Sequence, residues 1–172
     1  MAADVLEGKI ALSLLKPVSI HTVYLGRALG EAAFRLILLT VPSAVVISLI
    51  FSVQMPYGNA WSVAFLLSLP LSVLIMAGIN FIVGCFAIRM KSILGLLRAK
   101  FFVQELLSGL LLPMTMLPEP AQRIVEYLPF QHVAYTPLRI YLGKIDESEL
   151  VGILFLQLFW VVTLMTFSRF IW

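Results

Sequence analysis

The sequence predicts an all-α, polytopic membrane protein, a helix bundle of about four spanning helices. Hydrophobic residues make up 61% of the 172 residues and charged residues only 12%. Soluble domains average roughly 25% charged residues, so a chain this apolar has more apolar surface than one core can bury. Four stretches with few or no charges approach the ~20 residues that cross a bilayer. The remaining length leaves no room for a catalytic or nucleotide-binding domain beside them.

The spans are delimited by charged residues. The first begins after Arg35 and contains Pro42, which we expect to kink the helix rather than end it. The third is short and contains Glu105 and Pro113, and without it the last span would reverse direction. The predicted bounds are 36–53, 60–88, 101–117 and 150–172.

Basic residues set the predicted orientation, because Lys and Arg in short loops resist translocation. Placing both termini in the cytoplasm leaves only Arg123, Arg139 and Lys144 of the 12 basic residues outside. This topology accounts for the net charge of +3 without a nucleic-acid partner.

The first 35 residues form the predicted cytoplasmic segment. Asp4 followed by Glu7 resembles a capping box, apolar residues then recur every four positions, and Pro17 stops the pattern. Ser19 can cap a second helix that continues into the first span. The amphipathic helix before Pro17 is either a membrane-surface helix or a docking surface for a cytoplasmic partner.

Residues 118–149 form the predicted outer segment, which contains a short interfacial helix. Pro120 can occupy a helix start, and Pro129 ends the pattern. The expected apolar face of this helix consists of Ala121, Ile124, Val125 and Leu128.

Small residues recur on the predicted first span and just before it. Thr40, Ala44, Ser48 and Ser52 repeat every four positions, and Gly26 and Gly30 form a GxxxG pair. Such faces let two helices approach closely. They favour either packing within the chain or a contact between two subunits.

Catalytic and metal-binding patterns are missing from the sequence. Cys85 is the single cysteine, and no phosphate-binding loop is present, so ATP hydrolysis would require another chain. We therefore predict no enzyme activity, metal or cofactor. Two polar residues are singled out within predicted spans, Glu105 and Gln157. As an intramembrane acid Glu105 is a default functional candidate, but it lies only five residues past Lys100, so the alternative is a structural role in which it reaches interfacial water or pairs with Arg98 or Lys100. We expect Gln157 to bond to a neighbouring helix.

Three blocks of sequence resemble the type-2 ABC exporter permease family. The run EGKIALSLLKPVS (Glu7 to Ser19) resembles that family's cytoplasmic loop. LLSGLLLPMTMLPEPAQRIVEYLPF (Leu106 to Phe130) is similar to its fifth span and the connection after it. The runs YTPLRIYLGKI and LQLFWVV are similar to its last connection and last span.

The resemblance implies a permease of six spans, two permease subunits forming the pathway, and separate ATP-binding cassette ATPase subunits. Residues 1–172 would be a single permease domain that matches the last four spans, with two N-terminal spans preceding it. In the family a short cytoplasmic coupling helix contacts the ATPase. Here that role would fall to Asp4, Leu6, Glu7, Gly8, Ile10, Leu14, Lys16 and Pro17. Glu105 is not part of the family pattern.

The resulting hypothesis is the permease subunit of an ATP-driven exporter in a bacterial plasma membrane. It would move a hydrophobic or amphiphilic small molecule out of the cell by alternating access, as a homodimer or heterodimer surrounded by membrane lipid. One alternative is a proton-coupled four-span exporter that uses Glu105. Another is a membrane assembly subunit that transports nothing.

Overall fold

The computed structural model describes residues 19–51, 58–89, 93–109, 116 and 118–171, and within these ranges the chain forms helices and no strands. The predicted all-α membrane bundle is confirmed. The helices are α1 (Ile20–Ile50), α2 (Asn59–Arg89), α3 (Ile93–Leu107), α4 (Glu119–Glu126), α5 (Gln131–Tyr141) and α6 (Glu147–Ile171).

Three of these helices are long and apolar enough to cross a membrane: Ile20–Ile50, Asn59–Ala87 and Glu147–Ile171. The fourth predicted span, 101–117, coincides only partly with α3. That helix has 15 residues and ends at Leu107, and Gly109 then adopts a φ of 77°. This left-handed conformation, which glycine adopts without strain, stops a helix. Residues 110–115 and 117 lie outside the described ranges, so a crossing at 101–117 stays a prediction.

Helix α1 begins as the sequence predicts and then changes its hydrogen-bonding pattern before Pro42. The Ser19 hydroxyl accepts a hydrogen bond from the Thr22 backbone N–H at 3.3 Å. The α-helical parts Ile20–Arg35 and Val41–Ile50 are joined by a π-helical turn, Leu36–Thr40. Proline lacks an N–H, so a wider turn before it accommodates the missing bond while the helix continues.

Helices α2 and α6 pack side by side and form the centre of the bundle. A buried cluster joins Ile75 and Ile79 of α2 to Val161 and Leu164 of α6. Gly78 lies at the closest approach, because a β-carbon at this position would be 2.9 Å from Leu164 Cβ. Without a strong hydrophobic force between helices in lipid, such close packing is what holds spans together.

The outer segment contains two helices, of which only α4 was predicted. Helix α4 begins beside Pro120, as expected, and of its predicted apolar face Val125 is buried while Ile124 is exposed. Helix α5 packs against α2, and its end closes with Gly143 at a φ of 63°. Ile140 joins Ala64 of α2 and Leu150 of α6 in a second buried cluster.

The outer segment reaches well down the side of the bundle. The Trp160 indole N–H donates to the Tyr127 carbonyl at 2.9 Å. Trp160 lies about 20 Å along α6 from its first residue, at 1.5 Å per residue. Tyr141, at the other end of α5, contacts Phe65 near the start of α2. Helix α5 therefore runs alongside the spanning helices from mid-depth to their outer-segment end.

Candidate functional site

The predicted coupling residues all lie in the segment 1–18, outside the described residues. The segment leads directly into Ser19 and α1, so the first turn of α1 is the part of the described chain that a moving coupling segment would reach first.

The first turn of α1 is held between the carboxyl ends of α2 and α6. We call this set the basal cluster: Ile20, His21, Phe81, Cys85 and Ser168. Ile20 packs with Phe81 and Cys85 of α2 in a buried cluster. The His21 ring meets Phe81 edge-on, with centroids 5.0 Å apart. Contacts with two other spans therefore surround two adjacent residues of α1.

A buried hydrogen bond completes the basal cluster. His21 Nε2 lies 2.7 Å from Ser168 Oγ on α6. The Ser168 hydroxyl donates to the Met165 carbonyl at 2.8 Å. Its oxygen therefore accepts from His21, which fixes the imidazole proton on Nε2. Because the pair is buried, any rotation of α1 about its base breaks a bond that water cannot replace.

A cleft of ≈ 280 Å³ opens beside the basal cluster, between α1 and α2. Its polar lining consists of Tyr24, Arg27, Glu31 and Asn80. The Arg27 guanidinium lies 5.4 Å from the centre of the Tyr24 ring. Glu31 also forms an ion pair with Arg35, one turn further along α1. Tyr24, Arg27 and Glu31, spaced three and four residues apart on α1, thus line the cleft from one face of the helix.

A second polar site lies inside the bundle, where α2, α5 and α6 meet. We call it the core network: Ser68, Ser72, Gln131, His132, Thr136 and Gln157. The Gln157 amide donates to Ser72 Oγ at 3.3 Å and to the His132 carbonyl at 3.2 Å. Ser72 also donates to that carbonyl, at 2.7 Å. One residue of α6 thereby joins two other helices, a role that matches the bond expected of Gln157.

Several polar atoms of the core network are buried with no partner among the described residues. They are Ser68 Oγ, Gln131 Oε1, His132 Nε2 and Gln157 Oε1. His132 Nδ1 lies 2.9 Å from Thr136 Oγ1. Burial lowers the pKa of His132 to about 4. The imidazole is therefore neutral at physiological pH, as a network of uncharged groups requires.

A third group of polar residues lies on α3 and directly after its last residue, Leu107. Lys100, Gln104 and Ser108 are buried, whereas the predicted candidate Glu105 is exposed. Spacings of four residues place the three buried residues on one stripe of the helix. Glu105 and Gln157 therefore belong to separate sites on separate helices.

Sequence reasoning missed the core network and the buried residues of α3. The available signals were the four-residue spacings of His132 with Thr136 and of Lys100, Gln104 and Ser108. Neither spacing shows which way a face points. Among the described residues, no group of three or more His, Cys, Asp or Glu residues is placed to hold a metal ion.

Comparison with curated proteins and with solved structures finds no match. The family model described as ABC-2 family transporter protein matches residues 1–172. Members of this family are membrane subunits that are not themselves the ATPase and that work with an ATP-binding subunit. The chain belongs to the ABC-2 transporter family and is an integral membrane permease subunit of an ABC-type transporter.

Proposed function

We propose that this permease subunit exports a hydrophobic or amphiphilic small molecule by alternating access, driven by its ATP-binding partner. The proposal places it in a bacterial plasma membrane with both termini in the cytoplasm. The basal cluster then lies at the cytoplasmic face, where the ATPase subunit docks.

The observation that carries the proposal is the packing of the first turn of α1 between α2 and α6. His21 hydrogen-bonds to Ser168 of α6, and Ile20 packs on Phe81 of α2. A displacement of the segment before Ser19 therefore acts on α1, α2 and α6 at once. In this proposal Asp4, Leu6, Glu7, Gly8, Ile10, Leu14, Lys16 and Pro17 form the surface that the ATPase moves.

A second permease subunit completes the pathway in this proposal. The small residues Thr40, Ala44 and Ser48 are exposed on α1, and a β-carbon at Gly26 or Gly30 would meet nothing within 4 Å. Packing within the described chain therefore does not use either small-residue pattern. Their exposure favours the other interpretation, a contact between subunits.

The test is ATP-driven transport by the purified complex in vesicles, with a panel of lipophilic dyes as cargo. Reversing charge in the coupling segment, by Glu7→Lys or Lys16→Glu, should lower ATP-dependent transport at least about tenfold, equivalent to ~1.4 kcal/mol of coupling. Lys144→Glu is the matched control, because Lys144 is exposed in the outer segment. A purified complex that lacks an ATPase and transports independently of ATP would contradict the proposal.

The same vesicles separate export driven by ATP from export driven by protons. A proton-coupled exporter that uses Glu105 loses transport in the Glu105→Gln variant and tolerates Glu7→Lys. The ATP-driven permease shows the opposite ranking. An assembly subunit that transports nothing depends on neither ATP nor the proton gradient.

A further inference from the structure

The buried stripe on α3 is unusual because it places a positive charge inside the protein. Lys100 is 9% exposed, Gln104 8% and Ser108 1%. The neighbouring residues Phe101, Phe102 and Val103 are exposed instead. These three polar side chains thus face inward while three apolar neighbours face outward, and Arg98 and Glu105 lie on the exposed side as well.

The Lys100 ammonium lacks a negative partner within the described part of the chain. Its Nζ lies 4.1 Å from the centre of the Phe101 ring, and no carboxylate of the described residues pairs with it. Glu105 is on the exposed side of the same helix. A buried ammonium without a counter-ion is costly, since a ring contact returns only part of the free energy lost when the charge leaves water.

Gln104 provides an independent sign of a missing ligand, one turn further along. Its Oε1 atom is buried without a hydrogen-bond partner among the described residues. Amide oxygen and nitrogen are interchangeable by a rotation, so this end of Gln104 can present either an acceptor or two N–H donors. The Ser108 hydroxyl, at the next turn, makes only a 3.4 Å contact to the Glu105 carbonyl.

From this arrangement we infer that Lys100, Gln104 and Ser108 bind the anionic group, a carboxylate or phosphate, of an amphiphilic molecule. The ammonium supplies the charge, and the amide and hydroxyl supply hydrogen-bond donors. The exposed aromatic residues beside the stripe accommodate an alkyl chain. The anionic group comes either from transported cargo or from a membrane lipid, and the cargo arm rests on the proposed export function.

The test is equilibrium binding of radiolabelled dodecyl phosphate to the complete transporter in phosphatidylcholine nanodiscs without ATP. Empty nanodiscs supply the background, and dodecyl maltoside serves as an uncharged competitor with the same chain. Lys100→Gln should weaken binding about tenfold or more, the usual effect of losing one charge-assisted hydrogen bond. Lys100→Arg should retain most of the affinity.

Arg98→Gln is the matched control, because Arg98 is an exposed cation on the same helix. It should leave the affinity within about twofold of wild type, as expected for a screened surface charge. Unchanged binding in Lys100→Gln, or an equal loss in Arg98→Gln, would overturn the inference. If Lys100→Gln fails to fold, Gln104→Leu provides the second variant, with an expected severalfold loss.

A competition arm identifies the source of the anion. Phosphatidylglycerol in the nanodisc should displace dodecyl phosphate if the natural ligand is a lipid headgroup. Binding that persists in phosphatidylglycerol and still depends on Lys100 assigns the site to cargo. Because no ATP is present, failure of this site and failure of ATP-driven export are separate results.

Discussion

Helix α1 and the unit formed by α2, α5 and α6 differ in how much of their apolar surface is buried within the described chain. In the most apolar 18-residue stretch of α1 no residue is buried, whereas 39% of the residues in the corresponding stretch of α2 and 22% of those in α6 are buried. Beyond the basal cluster, large side chains such as Leu38 and Ile50 contact solvent or lipid rather than the described chain. By contrast, α2, α5 and α6 are joined by close packing and buried hydrogen bonds.

The difference leads us to expect that the α2–α5–α6 unit is rigid and that α1 moves relative to it. Buried polar groups specify one arrangement, because each displaced bond leaves an unpaired atom in a medium without water. The buried hydrogen bond between His21 and Ser168 lies at the base of α1, so a change in the angle of α1 strains that bond and leaves intact the bonds that join α2, α5 and α6. We expect α2, α5 and α6 to move as one unit and α1 to change its angle when the coupling segment moves.

The largest expected effect is at Gly78, where the two central spans touch. Gly78→Val would force atoms into Leu164, because even a β-carbon on residue 78 would lie only 2.9 Å from the Leu164 Cβ. Overpacking of this kind costs about 1–3 kcal/mol. The measurement is SDS-induced unfolding of the purified subunit in mild detergent.

Gly30→Val in α1 is the control for Gly78→Val, since it adds the same side chain where nothing lies within 4 Å. It should change the free energy of unfolding by no more than the ~1 kcal/mol typical of helix propensity. Equal losses in the two variants would contradict the division between α1 and the α2–α5–α6 unit.

Acidification should weaken the α2–α5–α6 unit through His132. Its pKa is about 4 in the folded protein and 6.5 ordinarily. The unfolded chain therefore binds more protons between these values, so stability is complete above pH 6.5 and is lost as pH falls toward 4. The expected loss between pH 6.5 and pH 5.5 is about 1 kcal/mol. His132→Asn, followed by the same unfolding assay, should flatten this dependence, and an unchanged slope would exclude His132 as its source.

Removing the hydrogen bonds that Gln157 of α6 donates should have an effect of about the same size as this acidification and smaller than that of Gly78→Val. Gln157→Leu loses the bonds to Ser72 and the His132 carbonyl, although Ser72 still donates to that carbonyl. Interhelical hydrogen bonds in membranes average ~0.6 kcal/mol, so we expect about 0.5–1.5 kcal/mol in the unfolding assay. Ser48→Ala, which removes only a local bond to the Val45 carbonyl, is the control and should be nearly silent. A silent Gln157→Leu would show that packing alone holds the unit.

The smallest expected effect is on the exposed part of α1. Leu49 is 81% exposed, so Leu49→Ala should change the unfolding free energy of the isolated subunit by less than about 0.5 kcal/mol. If a second permease subunit covers this surface, the same variant should weaken dimerisation, as measured by single-molecule photobleaching in vesicles. A large loss of stability in the isolated subunit would mean that α1 is packed within the chain.

Composition, helix-capping residues and prolines predicted the existence of most helices. The cap at Ser19 and the proline at Pro120 locate the starts of α1 and α4 because their effects act on the backbone nearby, whereas the charge at Arg35, after which the first span was predicted to begin, lies within the continuous helix α1. The core network was not predictable in the same way. Which residues Gln157 and His132 bond depends on how α5 packs between two spans, and that packing has no local signature.

Glu105 and Lys100 illustrate the same limit. Intramembrane acids are the usual functional candidates, so Glu105 was the residue weighed between a functional and a structural role, and the structure exposes it. The buried charge among the described residues is instead Lys100, which directly precedes the predicted span 101–117. The direction of a helix face relative to its neighbours, rather than residue type, separates the two.

The most direct test of the account compares two distances by electron paramagnetic resonance in the assembled transporter. Spin labels at the exposed positions Leu66 and Val151 report on α2 against α6, and labels at Leu49 and Val151 report on α1 against α6. A Cys85→Ser background removes the single native cysteine. We predict that ATP shifts the Leu49–Val151 distance and leaves the Leu66–Val151 distance unchanged. A shift in Leu66–Val151 as large as that in Leu49–Val151 would contradict the claim that α1 moves against a fixed α2–α5–α6 unit.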